Sequence, residues 1–203
     1  MKHAADASLS DHDAEARLRA FAALLLTWNR RINLIARGDE AFIWERHILD
    51  SAQLAPLLPG AGGSLIDLGS GAGFPGLVLA VVTGWRTYLV EPDARKAAFL
   101  REVVRTVRAD ASVHIARAEA LRLPPAAAVT ARALAPLSVL LGLTAPLLAP
   151  DGVCLFPKGR QVADELTAAR RDWHMHVECF PSRTSPTATL LRIREIRRVP
   201  SAG

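Results

Sequence analysis

Asp67-Leu68-Gly69-Ser70-Gly71-Ala72-Gly73-Phe74-Pro75-Gly76 is the stretch that decides the fold, because it joins a short apolar run to a helical one. Glycines at such a junction let the chain turn sharply and let its backbone approach a ligand with no Cβ in between. A turn without a ligand is a poorer explanation, since three spaced glycines cost backbone entropy without side-chain packing in return. The stretch therefore predicts a ligand at the carboxyl end of a strand.

Two kinds of loop fit these residues. Counted from Gly71, the stretch reads Gly-x-Gly-x-x-Gly, which is typical of dinucleotide binding but is a weak signal alone. Counted from Gly69, it reads Asp-x-Gly-x-Gly-x-Gly, which is typical of S-adenosylmethionine-dependent methyltransferases. The strand ends at Leu68, so Gly69 is in register and Gly71 is two residues late. Because the Asp67 carboxylate would repel a pyrophosphate and suits a cationic donor, the second interpretation is favoured and the first stays open.

Outside this loop, short apolar runs alternate with helical stretches. The predicted strands are Leu65–Leu68, Thr87–Val90, Val113–Ala116, Ala127–Val129 and Val153–Phe156, and the predicted helices between and after them are Gly76–Val82, Asp93–Arg108, Leu137–Leu148 and Val162–Arg171. Such alternation with short connections predicts an α/β fold with a mostly parallel, Rossmann-like sheet. Two further runs, His174–Phe180 and Thr187–Ile196, have no helix between them and predict a C-terminal antiparallel hairpin.

The first sixty residues are predicted to be helical. Ser10 and Asp13 mark a helix start, and a second helix begins at Asp39 or Glu40 and ends near Leu54. We expect a single domain over residues 1–203, with a helical N-terminal extension over 10–60 and a Rossmann-like core over 64–198. Trp28 and Trp44 are expected to pack between helices.

Composition excludes several classes of protein. Half of the 203 residues are hydrophobic, which excludes a disordered chain, and two cysteines are too few for a disulfide framework. No cysteine or histidine spacing suggests a metal site. The longest uncharged stretch, Ala133–Pro150, is interrupted by prolines and reads as a buried helix with loops, so no membrane span is expected. The net charge of +5 permits RNA binding without requiring it.

Carboxylates follow the second and third predicted strands. Glu91 ends the second strand, where it can accept hydrogen bonds from both hydroxyls of a ribose, a role that dinucleotide and methyl-donor sites share. Glu119 follows the third strand and could lie beside an adenine, although an ordinary solvated loop carboxylate is the better explanation of it taken alone.

The loop after the fourth strand, Thr130-Ala131-Arg132-Ala133-Leu134, would face the transferred group. It has no Asn/Asp-Pro-Pro-aromatic string to hold an exocyclic amine and no cysteine to add to a pyrimidine. Arg132 is a fixed cation that could contact donor, base or phosphate, and a surface salt bridge is an equally good explanation of it.

Together, several strings resemble one family. They are Trp28-Asn29-x-x-Ile32-Asn33-Leu34, Glu45-Arg46-His47-Ile48-Leu49-Asp50-Ser51, the glycine loop, Asp93-Ala94-Arg95-Lys96-Ala97-Ala98-Phe99-Leu100, Thr130-Ala131-Arg132-Ala133 and Lys158-Gly159. In this order they resemble the bacterial small-subunit (16S) ribosomal RNA guanine-N7 methyltransferases, also called the glucose-inhibited division protein B family. The likeness extends from Trp28 to the end of the chain.

The resemblance implies a class I methyltransferase that uses S-adenosyl-L-methionine, without a metal, to methylate N7 of a guanine in cytoplasmic small-subunit RNA or its assembling particle. The family's donor-contacting positions fall on Gly69, Phe74, Ala118, Glu119 and Arg132, and the general donor contacts of the class fall on Asp67, Gly71 and Glu91. No membrane or protein partner is implied.

At the reaction site we expect Arg132 and Lys158 to hold the base and its phosphates, and His47 to shape the pocket. Arg46 and Asp50 are i, i+4 neighbours on a predicted polar ridge that we place facing the RNA. Further basic residues could follow phosphates or simply be solvated: Arg170, Arg171, Arg192, Arg194, Arg197 and Arg198. A small-molecule methyltransferase and a nucleotide-responsive RNA-binding module without turnover remain alternatives.

Overall fold

Seven strands form one sheet in the computed structural model, which describes residues 12–60 and 62–200. The strands are β1 (Ser64–Leu68), β2 (Arg86–Val90), β3 (Ala111–His114), β4 (Ala126–Ala131), β5 (Leu148–Lys158), β6 (Trp173–Pro181) and β7 (Thr189–Arg198). Their order is β3-β2-β1-β4-β5-β7-β6, and the first five are parallel. β7 pairs antiparallel with both β5 and β6. The predicted α/β fold with a C-terminal hairpin is confirmed.

Helices cover both faces of the sheet. They are α1 (His12–Asn29), α2 (Asp50–Ala52), α3 (Gly76–Thr83), α4 (Ala94–Val107), α5 (Leu137–Thr144) and α6 (Val162–Asp172). Phe21, Leu77 and Phe99 of α1, α3 and α4 share one apolar cluster, and Leu140 and Ala169 of α5 and α6 belong to another. This second face also holds Trp173, whose Nε1 donates to the Ser138 carbonyl over 3.1 Å.

The central strands are apolar on both sides because each side meets a helical layer. In β2, Leu89 packs into the α1–α3–α4 cluster while its neighbour Val90 packs into the α5–α6 cluster. Trp28 and Trp44 pack at the edge of the first cluster, as expected. The Trp28 indole stacks at an angle on Phe99 with 5.7 Å between ring centroids, and its Nε1 donates to Glu102.

The prediction of one continuous α-helix from Asp39 or Glu40 to Leu54 is wrong. Residues Arg37–Phe42 form a 3₁₀ turn, Trp44–Leu49 form a π-helical turn and only Asp50–Ala52 are α-helical. The π turn has a different spacing of side chains from an α-helix, and Arg46 pairs with Asp39. The predicted i, i+4 pair is therefore absent, because that spacing requires the α pitch.

Several other boundaries differ from the sequence expectation. α5 ends at Thr144 instead of Leu148, because Pro146 cannot continue an α-helix, and a 3₁₀ turn leads directly into β5. β3 begins two residues before the predicted strand, and β5 is longer than predicted at both ends. The predicted helix start at Ser10 lies outside the described residues. None of the helices in the described ranges is long and apolar enough to cross a membrane.

We expect that any larger residue at Gly76, the first residue of α3, disturbs the packing against β1. A Cβ at this position would lie 2.6 Å from Cγ of Asp67, which is fully buried and cannot move aside. We expect Gly76→Ala to lower the free energy of unfolding by about 1–3 kcal/mol in urea titrations. Gly38→Ala is the matched control, because its Cβ would meet no atom within 4 Å. Equal stability of the two variants would contradict this packing.

Candidate functional site

The carboxyl ends of β1, β2 and β4 bring the predicted polar residues together. β1 lies between the other two strands, with Asp67 opposite Leu89 of β2 and Thr130 of β4, so the strand ends are level. Glu91 follows β2 directly and Arg132 follows β4 directly. Ligands of open parallel sheets bind at this edge, and the glycine loop after β1 lies at its centre.

Asp67 is held in the interior instead of facing solvent. Its Oδ1 accepts a hydrogen bond from Thr130 Oγ1 over 2.6 Å, and its Oδ2 has no hydrogen-bond partner among the described residues. Burial raises the pKa of Asp67 from 3.8 to about 6, while the Thr130 hydrogen bond and the nearby Ser70 hydroxyl and Gly76 amide act in the opposite direction. The carboxylate thus fixes the loop against β4 and α3.

The glycine loop adopts the backbone that its sequence predicts. Gly69, Gly71 and Gly73 have φ values of +66°, +53° and +94°, in the region that side chains with a Cβ rarely adopt. Ser70 Oγ donates to the Asp67 carbonyl over 2.9 Å, which closes the turn. At Gly69 a Cβ would also lie 2.8 Å from Cδ1 of Leu134, in the loop after β4. The two loops of this edge therefore touch.

Glu91 is oriented by the backbone on both sides. Its Oε2 accepts from the Gly71 amide over 2.8 Å, and its Oε1 accepts from the Asp93 amide over 2.9 Å. Each carboxylate oxygen can accept more than one hydrogen bond, so both remain available to a pair of hydroxyl groups. The geometry suits the ribose contact, which stays a prediction.

Arg132 lies in a cluster of aromatic and charged groups beside the glycine loop. Its guanidinium carbon is 5.1 Å from the centroid of the Phe74 ring, and its Nη2 donates to Nδ1 of His47 over 3.0 Å. Asp50 Oδ2 lies 3.6 Å from Nη1. Burial lowers the pKa of Arg132, and Asp50 and Asp67 oppose that change. The guanidinium is therefore a fixed, partly buried cation, unlike a surface salt bridge.

His47 is neutral in this cluster. Burial lowers its pKa from 6.5 to about 4, and the charge of Arg132 acts in the same direction. Because Nδ1 accepts from Arg132, the ring proton is on Nε2, which is buried without a hydrogen-bond partner in the described residues and lies 3.7 Å from Asp39 Oδ2. The ring stacks on Phe74 with 4.9 Å between centroids and 18° between planes. His47 thus holds the Arg132 guanidinium in place by accepting its hydrogen bond and by stacking on Phe74.

Asp50 connects this cluster to the tip of the C-terminal hairpin. Its Oδ1 accepts from Thr184 Oγ1 over 2.6 Å and from Gln53 Nε2 over 2.8 Å. Gln53 also bonds the hairpin tip, because its Oε1 accepts from the Arg183 amide over 2.9 Å. The hairpin, far along the chain, therefore positions the carboxylate that faces Arg132.

Lys158 is engaged within the protein. Its Nζ lies 2.7 Å from Glu165 Oε2 and donates to the Ala135 carbonyl over 3.2 Å. Glu165 Oε2 also accepts from the Leu137 amide at the start of α5. Lys158 thus anchors the loop after β4 and lines an open cavity of about 500 Å³ that reaches Arg132. Its predicted contact with phosphates stays a prediction.

The other predicted donor residues differ in exposure. Ala118 is half-buried and Glu119 is exposed, both in a 3₁₀ turn after β3. Phe74 is buried, with its ring 5.2 Å from that of Phe21 on one side and stacked on His47 on the other. Its side chain is thus part of the core, and only its backbone is free to meet a ligand. Within residues 12–60 and 62–200, no group of three His, Cys, Asp or Glu side chains could hold a metal ion.

Sequence reasoning missed three residues that complete the site. Thr130 was only part of a loop string, yet the parallel register places it beside Asp67, which the alignment of strand ends could have shown. Thr184 is distant in sequence from Asp50, which it contacts, and Asp39 lies eight residues before His47, a spacing that no regular helix predicts.

Comparison with known proteins decides the family. The family model described as rRNA small subunit methyltransferase G, GidB, matches residues 14–188. A ribosomal RNA small subunit methyltransferase G of Rhodospirillum centenum is 60% identical over 180 residues, which cover 89% of this chain and 83% of that one. The chain belongs to this family. A relative of the same name from Granulibacter bethesdensis is 54% identical over 90% of this chain and 86% of its own. The resemblance seen in the sequence is confirmed.

Solved structures that are similar to the family member described here share its fold at low identity. A ribosomal protein L11 methylase from Lactobacillus delbrueckii subsp. bulgaricus superposes with a TM-score of 0.60 at 13% identity, covering 71% of this chain and 76% of that one. M. jannaschii TYW2 in complex with AdoMet gives a TM-score of 0.57 at 15% identity over 75% of this chain and 76% of that one. These similarities confirm the class I methyltransferase fold.

Opposite pH dependences are expected for the two perturbed groups of the site. Between pH 4 and 6.5 the unfolded chain binds a proton at His47 that the folded protein does not, so this group makes stability rise with pH. Between pH 3.8 and 6 the folded protein binds a proton at Asp67 that the unfolded chain does not, so this group makes stability fall with pH.

Urea titrations from pH 4 to 7 test both assignments. Relative to the wild type, Asp67→Asn should increase the slope of unfolding free energy against pH, and His47→Asn should decrease it. Asparagine suits the second variant because its Oδ1 can replace Nδ1 as the acceptor for Arg132. The double variant should return to the wild-type slope, and slopes that shift in the same direction would refute the assignment.

Proposed function

We propose that this chain transfers the methyl group of S-adenosyl-L-methionine to N7 of a guanine in small-subunit (16S) ribosomal RNA. The observation that carries this proposal is that a member of the rRNA small subunit methyltransferase G family holds Asp67, the glycine loop, Glu91 and Arg132 on one edge of its sheet. The proposed reaction occurs in the cytoplasm, on the RNA or its assembling particle.

The residues of this edge fit such a donor. Glu91 presents two oriented carboxylate oxygens to the ribose hydroxyls, and at Gly71 a Cβ would meet only the Gly69 carbonyl oxygen, 3.7 Å away, so a ligand can approach the backbone there. When bound, the donor supplies an electrophilic methyl carbon on a sulfonium. Asp67 acts beneath the loop, where its fully buried carboxylate holds the loop in place.

The chain's own groups position the acceptor without deprotonating it. N7 of guanine has an in-plane lone pair and no proton at neutral pH, so its attack on a methyl carbon needs no general base. His47 suits this chemistry because it is neutral and its Nδ1 is occupied by Arg132. Arg132 offers a fixed cation at the loop that would face the base. Holding the reacting atoms in line can supply on the order of 7 kcal/mol of barrier reduction.

Lys158 has an indirect role in this proposal. Its ion pair with Glu165 and its bond to the Ala135 carbonyl stabilise the loop that carries Arg132. Lys158→Ala is therefore expected to slow methyl transfer by displacing Arg132, with a smaller effect on the salt dependence of RNA binding than a lost phosphate contact would give.

Methyl transfer from labelled S-adenosyl-L-methionine tests the proposed function. We expect label in small-subunit RNA or particles and none in a panel of small metabolites, and reductive strand scission should map it to N7, since N7-methylguanine alone permits that cleavage. Label in a metabolite would indicate the small-molecule enzyme instead. Donor and RNA binding without turnover on naked RNA, precursor particles or mature subunits would indicate the non-catalytic RNA-binding module.

The rate of the chemical step should be nearly independent of pH from 6.5 to 8. The reason is that N7 carries no proton there and His47, with a pKa of about 4, stays neutral throughout. Single-turnover rates at saturating donor and RNA measure this step. His47→Asn should keep the flat profile even if it is slower. A rise with an apparent pKa near the ordinary histidine value of about 6.5, lost in that variant, would show that a base is needed.

A further inference from the structure

We propose that a polar cavity between the loop after α1 and the start of α4 binds a backbone phosphate of the RNA substrate. The cavity has a volume of about 340 Å³ and is lined by Arg31, Ile32, Asn33, Asp93, Arg95 and Lys96. This inference rests on the proposed function for the identity of the substrate, and it assigns the RNA to a surface that the donor site does not use.

The charge of this phosphate cavity is strongly positive. Three cations line it, and its one carboxylate is already committed, because Asp93 Oδ1 accepts from the amides of Arg95 and Lys96 over 2.7 and 3.2 Å. These backbone hydrogen bonds hold the pKa of Asp93 below its usual value, so it stays ionised and structural. Asp93 Oδ2 lies 3.8 Å from Arg95 Nη2, which leaves Arg31 and Lys96 to face an anion.

Arg31 and Lys96 line the same cavity, and neither side chain is held by an ion pair within the part of the chain that the structure describes. Among the described residues, no acceptor lies within hydrogen-bond or ion-pair distance of either side chain. Two of the arginines that the sequence suggests for phosphate contacts form ion pairs within the protein instead, Arg192 with Glu178 and Arg194 with Glu195. An unpaired cation gains more from a phosphate than a paired one, because it has no protein contact to give up.

The loop that carries Arg31 is rigid. Asn29 at the end of α1 is buried, and its Oδ1 accepts from the amides of Leu34 and Ile35 over 2.9 and 3.0 Å. Its Nδ2 donates to Glu40 over 2.6 Å. Asn29 therefore holds together the two ends of the loop that carries Arg31, so that little conformational freedom is lost when an anion binds.

The cavity adjoins the proposed donor site through the backbone. Asp93 lines the cavity, and its amide donates to Glu91, the carboxylate placed on the ribose. A strand that presents a base to the loop after β4 has its phosphates on the surface around this edge. The lining is polar and offers no aromatic ring on which a base could stack, so the backbone is the part of the RNA that fits.

The salt dependence of RNA binding tests this site. Fluorescence anisotropy with small-subunit RNA, without donor, should give a linear fall of log affinity with log salt for the wild type. For Arg31→Ala/Lys96→Ala the slope should be smaller by about two, and affinity near 0.1 M salt should fall on the order of tenfold or more. Arg31→Lys/Lys96→Arg keeps both charges and should keep the slope. Thermal melts and donor calorimetry should match the wild type for both double variants.

Arg170→Ala/Arg171→Ala is the matched control, because it removes two exposed arginines at the end of α6. A reduced slope in this variant with an unchanged slope in Arg31→Ala/Lys96→Ala would overturn the inference. Competition of inorganic phosphate with RNA for the protein is a further test. Phosphate that binds the wild type and not Arg31→Ala/Lys96→Ala, with RNA affinity equal in the two, would identify an anion site unrelated to RNA and would also overturn it.

These outcomes are separate from the failure of the proposed function. A wild type that binds RNA through Arg31 and Lys96 but transfers no methyl group would refute the enzyme and leave the phosphate cavity standing. A wild type that methylates RNA, with an Arg31→Ala/Lys96→Ala variant that binds RNA as well as the wild type, would refute only the cavity.

Discussion

The buried carboxylate of Asp67 is the constraint on which the site depends. It joins three elements, because it lies in β1, accepts from Thr130 of β4 and lies against Gly76 at the start of α3. A charge in such a place is costly, as its raised pKa shows. Its contacts with Thr130 and Gly76 fix the path of the loop between Asp67 and Gly76. The backbone at Gly69 and Gly71 is thereby fixed in space, and so is the Glu91 carboxylate, which accepts from the Gly71 amide.

A second set of contacts connects this loop to parts of the chain that are distant in sequence. Phe74 of the loop lies between the Arg132 guanidinium and the core, and His47 supports both. Asp50 then connects Arg132 to the hairpin tip at Thr184. Each member is partly buried, so its partners are not exchanged for water at low cost. The hairpin therefore contributes to the reaction edge as well as closing the sheet.

The sequence predicts most of the fold because its alternation and turn signals are local. Gly69 in register after Leu68, the helix that begins near Asp93 and the run without a helix after His174 each depend on neighbouring residues, and the structure bears them out. The segment from Asp39 to Leu54 could not be predicted in the same way. Its π turn holds His47, whose tertiary contacts with Arg132 and Phe74 compete with the local preference for an α-helix.

Within the site, the sequence predicted which residues lie at the reaction edge, but not that several of them are buried or paired. Asp67, Phe74 and Lys158 lie at the predicted edge, yet all three are largely buried or paired and act by holding the loops. A motif specifies which side chain is needed at a position, while exposure depends on packing against residues far away in sequence. An enzyme whose acceptor needs no proton removed can use its polar residues in this way. Its remaining requirement is rigidity, and rigidity comes from buried contacts such as Asp67 with Thr130 and Lys158 with Glu165.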